Sequence, residues 1–132
     1  MLRNIAAVVI GLLAGAIVVY LVERAGQMLV ASPADGEIGL GAKIAVVISW
    51  FAGVFCGACA GSLVARRWAP AAWVVTGALG GLTGMTLITI PHPLWMVLGA
   101  LVSVVGGGWL AVKATGARYG APPAKPDPMP GF

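Results

Sequence analysis

Four long apolar runs divide the 132-residue chain, separated by three short polar or proline-bearing breaks. The pattern predicts helices over about 4–30, 43–66, 71–90 and 94–113. Each is close to the roughly 20 residues that a helix needs to cross a hydrocarbon core. The second run, KIAVVISWFAGVFCGACAGSLVARR from Lys43 to Arg67, organises the rest. Gly53, Gly57 and Gly61 recur every four residues in it, which puts them on one helix face. A face without side chains lets a second helix approach closely, the usual basis of helix association in lipid. The same spacing returns in Gly11/Gly15, in Gly77/Gly81 and in Gly99/Ser103/Gly107, so all ten positions are candidate packing residues.

The breaks carry their own signals. Residues 31–42, ASPADGEIGLGA, combine Pro33 and three glycines with Asp35 and Glu37, and read as a short exposed loop. Arg66-Arg67-Trp68-Ala69-Pro70 is a tight basic turn, with proline placed for a helix start. Pro91-His92-Pro93 is a minimal turn. Beyond residue 115, five prolines between Pro122 and Pro130 exclude helix and strand, giving a Pro-rich tail over 116–132. The first apolar stretch follows Arg3 as a signal peptide would. It is longer than a signal core of roughly 7–15 residues and lacks a small-residue cleavage site, so an uncleaved helix is expected.

Composition agrees with this pattern. The chain is 60% hydrophobic and 9% charged, against about 25% charged in soluble domains. Lys and Arg gather in the N-terminus, the second loop and the tail (Arg3, Arg66, Arg67, Lys113, Arg118, Lys125), whereas the first and third loops hold only Arg24 and Lys43. By the positive-inside rule both termini are cytoplasmic, with Arg66 and Arg67 as the main topology signal. The net charge of +4 is scattered, without the basic stripe of a nucleic-acid binder, and is read as topology and headgroup contact.

The order of features resembles a family of small bacterial four-helix integral membrane proteins with no assigned activity. In that family the first helix ends in V-E-x-x-G, here Val22-Glu23-Arg24-Ala25-Gly26, and a Pro- and Asp-containing loop follows, here Ser32 to Gly36. A Gly-rich second helix then ends on Ala65-Arg66, and a third closes on I-P-H-P-x-W, here Ile90 to Trp95. The likeness covers nearly all of the membrane part and excludes the tail; I-P-H-P-L-W is its most specific element. A histidine often stands four residues after the glutamate in the family, where this chain has Gln27. The resemblance implies a bacterial inner membrane and a four-helix fold, and no activity.

Three groups of residues could carry chemistry. Cys56-Gly57-Ala58-Cys59 is a C-x-x-C about 13 residues into its helix, far from the N-terminal dipole that would stabilise a thiolate. Residues three apart on a helix also hold their Cβ atoms about 5–6 Å apart, whereas a disulfide wants about 3.8 Å. Two thiolates could hold a soft ion such as Cu(I), with Met85 or Met96; the bland alternative is that cysteine is a small packing residue. His92 shares one predicted surface with Glu23, Asp35 and Glu37 and could bind a divalent metal, or merely occupy a tight turn. No ionisable group falls in the centre of a run, which counts against proton-coupled transport. No catalytic triad, phosphate loop or paired membrane carboxylate is present, and no cofactor is implied.

The expectation is therefore an all-α polytopic protein, an up-down bundle of four transmembrane helices (1–115) with both termini inside. The leading function is a structural or accessory subunit of a membrane complex or homo-oligomer. Its partners would be the lipid bilayer and other membrane subunits or a second copy. The alternatives are a transporter of a small solute or soft metal using Cys56 and Cys59, and a membrane thiol oxidoreductase.

Overall fold

A computed structural model describes residues 2–30 and 38–121, and its regular elements are four helices. They are α1 (Leu2–Leu29), α2 (Leu40–Val64), α3 (Ala69–Thr89) and α4 (Leu94–Thr115). Runs rich in glycine are poor helix formers in water. In lipid the balance changes, because a helix satisfies its backbone groups within itself and no competing solvent is present. At 1.5 Å per residue the helices measure about 31–42 Å, and all four are long and apolar enough to cross a membrane.

The helix ends follow from local chemistry. α2 stops at Val64, short of the Arg66 end that the sequence pattern assigns to it. Arg66 and Arg67 instead adopt left-handed backbone, with φ of 56° and 60°. Their amides cap the helix: Arg66 N–H donates to the Leu63 carbonyl (3.0 Å) and Arg67 N–H to that of Ser62 (2.7 Å). Left-handed backbone costs a residue with a Cβ about 1–2 kcal/mol, so this turn is held by its surroundings. Pro70 lies in the first turn of α3, where its missing N–H is not needed. α4 closes on Gly116, also left-handed at φ 62°, with Ala117 N–H donating to the Val112 carbonyl at 3.0 Å. Between α3 and α4 lies only the segment from Ile90 to Pro93.

α2 packs against each of the other three helices, α3 touches α1 and α4 as well, and α1 and α4 do not meet. The closest pair is α1 with α2. A Cβ placed on Gly57 would lie 2.7 Å from the Gly11 carbonyl oxygen, and one on Gly15 would lie 2.9 Å from the Gly53 carbonyl oxygen. Gly26 meets Ala45 further along, so numbers rise on α1 as they fall on α2. Val75 and Leu79 of α3 fill the remaining side of this seam, 2.7 Å and 2.6 Å from Cβ atoms placed on Gly11 and Gly15. The interior is correspondingly small-grained: the largest fully buried side chains are Val54, Val75, Ser49 and Ser62. Large aliphatics such as Ile5, Leu13, Ile17, Leu101 and Val102 point outward. Packing by small residues with large ones outside suits a lipid solvent, where burying a leucine gains little.

The buried hydroxyls are satisfied. Ser49 donates to Val46 O (2.7 Å), Thr76 to Ala72 O (2.9 Å) and Thr83 to Leu79 O (3.1 Å). Two more tie α2 to α4: Ser103 donates to Val47 O (3.3 Å), and Ser62 shares a 3.1 Å hydrogen bond with Thr115. The loop carrying Asp35 and Glu37, and the tail from Pro122 onward, lie outside the described residues.

The α1–α2 seam leaves no room for a side chain at its centre. Gly57→Ala should lower stability by about 1–3 kcal/mol, the usual cost of overpacking. Denaturant titration of helicity in micelles measures this, with Gly81→Ala, which meets open space, expected to change little.

Candidate functional sites at the two ends of the bundle

The two cysteines lie on α2, both free and half-buried. Cys59 packs beside Phe55 and Trp73 against a cluster of Ala58, Ala69, Ala72, Ala111 and Val112. Met96 belongs to a different cluster, with Trp50 and Ala100, and Met85 is exposed. The structure therefore does not bring Met96 into the packing around Cys59. His92 sits in its turn, its Nδ1 donating to the Ile90 carbonyl and its ring tilted against Trp50 at 6.3 Å between centroids. Glu23 accepts a 3.2 Å hydrogen bond from Gln27 one turn on. Among the described residues, no three His, Cys, Asp or Glu side chains gather into a group that could hold a metal ion.

The glycines divide into two sets. Gly11, Gly15, Gly53, Gly57 and Gly61 all face neighbours that would lie under 3 Å from an added Cβ. Gly99 lies against Val47, and Gly107 against the backbone of Phe51 and Phe55. Gly77, Gly81 and Gly84 of α3 have nothing within 4 Å. Beside them a groove of about 440 Å³ runs between α3 and α4, lined by Gly80, Gly84 and Leu87 on one wall and Val97, Leu98 and Leu101 on the other.

A second concavity opens at the end that carries His92. α1 and α3 are joined near Ala7 and Ala71, but further along a cleft of about 320 Å³ separates them. Trp50 and Val54 of α2 lie at its base, and Tyr20, Glu23, Leu82 and Thr86 line it. It offers one carboxylate, already bonded to Gln27, and threonine hydroxyls that donate to their own helix. Such a cleft can seat an apolar group with one polar end. It does not assemble a catalytic or ligating set. The sequence pattern places Glu23 at a helix end but does not show that α1 and α3 part around it.

The opposite end is more elaborately built. After α4 the chain turns back and runs beside the α2–α3 turn. Arg118 N–H donates to the Arg67 carbonyl (2.8 Å), and Ala69 N–H donates to the Arg118 carbonyl (2.9 Å), a short parallel bridge. Trp68 Nε1 donates to the Gly120 carbonyl (2.8 Å) and Trp73 Nε1 to the Tyr119 hydroxyl (2.9 Å). Residues 116–120, grouped with the tail by composition, are thus strapped to the bundle. Arg66, Arg67, Trp68, Arg118 and Tyr119 together line a pocket of about 410 Å³. Sequence reading treats Arg66 and Arg67 as topology markers only; the repeated basic-aromatic pairs Arg67-Trp68 and Arg118-Tyr119 are the signal that could have exposed the pocket.

Four apolar helices of spanning length around a small-residue core define the class: a multi-pass membrane protein. Searches against protein-family models, curated proteins and solved structures found no match to the chain.

Tyr119→Phe removes the acceptor of Trp73 Nε1, a loss of about 1 kcal/mol for a hydrogen bond of this kind. The helices should stay intact while the strap loosens, so tryptic cleavage after Arg118 should quicken severalfold at unchanged helicity.

Proposed function

We propose that the protein is a structural or accessory subunit of an inner-membrane assembly, joined to a second transmembrane chain through the α3–α4 face. One observation carries this. Gly77, Gly81 and Gly84 present a surface without side chains to open space, although the same spacing on α1 and α2 is consumed inside the fold. The outer face of α1, by contrast, carries Ile5, Val9, Leu13 and Ile17, side chains suited to acyl tails. A bare glycine stripe next to an apolar groove suits an incoming helix, whose backbone can approach closely and whose side chains can enter the groove. That helix would come from a second copy or from another subunit.

In this reading the chain is an up-down bundle with both termini in the cytoplasm. Arg3, Arg66, Arg67, Lys113 and Arg118 belong to one end, and the other holds Arg24 and Lys43 together with Glu23. The arginine-rich end is cytoplasmic by the positive-inside rule. Trp68 and Trp73 at that end, and Tyr20 and Trp95 at the other, suit the two interfacial belts. Transport of a soft metal gains no further ligand from the packing around Cys59, so the accessory role is the stronger reading.

Gly81→Leu should leave the monomer folded and weaken its assembly by about tenfold, the effect of losing roughly 1.4 kcal/mol. Native mass spectrometry of gently extracted membranes reads the assembly and its composition directly. Unchanged assembly in Gly81→Leu would refute the α3–α4 docking face. The topology has its own measurement. In a Cys56→Ala/Cys59→Ala background, His92→Cys should react with an impermeant thiol reagent from outside the cell; labelling only from the cytoplasm would reverse the orientation.

A further inference from the structure

The strapped arginine pocket has the construction of a binding site, beyond anything the accessory role requires. It is a concavity of about 410 Å³ with Arg66, Arg67 and Arg118 around it. The arginines come from two segments far apart in sequence, the α2–α3 turn and the chain after α4. The strap's backbone bonds hold those segments together. Like charges gathered on one hollow repel, yet here the backbone brings them together, and at Arg66 and Arg67 it does so in left-handed conformation. Trp68 and Tyr119 complete the walls, and Trp68 and Trp73 spend their indole N–H groups on the strap.

We infer that this pocket binds a phosphate-bearing anion at the membrane surface. Guanidinium groups match phosphate oxygens bidentately and are weakly hydrated, so they bind phosphate well where water is partly excluded. Aromatic walls suit the glycerol and upper acyl region of a lipid, or the body of a soluble phosphate compound. Both sources share the phosphate, and the backbone-fixed spacing of Arg67 and Arg118 provides the preorganisation.

Two substitutions test the site without dismantling it. Arg67→Gly removes a guanidinium at a φ of 60° that glycine adopts freely. Arg118→Gln removes another, while the strap bonds at that position are made by its backbone. The full-length protein in neutral micelles would be titrated with equimolar phosphatidylglycerol and phosphatidylcholine and read by native mass spectrometry. In parallel, its thermal midpoint in phosphatidylcholine nanodiscs would be followed with inorganic phosphate against chloride at matched ionic strength. The expected result for the lipid source is one retained phosphatidylglycerol, favoured over phosphatidylcholine by about thirtyfold, as two surface arginines would give. That preference should be lost in Arg67→Gly/Arg118→Gln. A midpoint raised by phosphate in the wild type alone, without lipid preference, assigns the site to a soluble phosphate. Equal retention of both lipids with no phosphate response overturns the site, as does any response that survives in the double variant. Circular dichroism guards the comparison. If the double variant unfolds, the same criteria apply to Arg118→Gln alone, where binding equal to wild type overturns the site.

Discussion

Everything in this fold depends on two helices touching through their backbones. α1 and α2 approach so closely that a Cβ on Gly57 would lie 2.7 Å from a carbonyl oxygen of α1, which only glycine permits. In lipid, where burying a large aliphatic side chain gains little, this close contact supplies dispersion attraction over a long seam. The rest follows from it. Val75 and Leu79 close the open side of the seam and so fix α3. α4 is left to pack on the opposite flank of α2, out of reach of α1. Many large aliphatic side chains face outward, while Leu79, Met96 and Trp50 are among the few large ones buried.

How much of this was legible in the sequence depends on the scale of the interaction. The four helices were, because the apolar runs and the breaks at Pro70 and Pro91-His92-Pro93 are local signals. The end of α2 was misplaced by two residues, because Ala65-Arg66 reads as helix until the left-handed backbone of Arg66 is seen. The glycine spacing marked faces that could pack, but Gly11/Gly15 and Gly77/Gly81 have the same pattern in the sequence. One pair is buried in the α1–α2 seam and the other faces nothing. No local property separates them, since the difference arises from which helices neighbour which.

The candidate sites show the same limit more sharply. Cys56 and Cys59 are candidates because C-x-x-C is a recognisable string, and His92 because it shares a predicted surface with Glu23, Asp35 and Glu37. The structure sets His92 against Trp50 and packs Cys59 among alanines. What it assembles instead is non-local. The arginine pocket joins residues about fifty positions apart through main-chain bonds that composition cannot display. The Glu23 cleft lies between α1 and α3 beyond their contact at Ala7 and Ala71, a separation that only the arrangement of the helices reveals.

The pocket and the bare glycine face are built on the same two helices. The strap bonds the start of α3 to the chain that leaves α4, so it sets their separation at the arginine end. At the other end only Ile90 to Pro93 joins them, and there the groove between Gly84 and Leu101 opens. Between these ends Gly80 faces Val104 and Gly108 faces Thr76, small residues opposite branched ones. The two helices are thus tied at both ends, by main-chain hydrogen bonds at the strap and by the short link from Ile90 to Pro93 at the other. The groove and the basic pocket are therefore features of one helix pair, the first beside the glycines of α3 and the second at the strap.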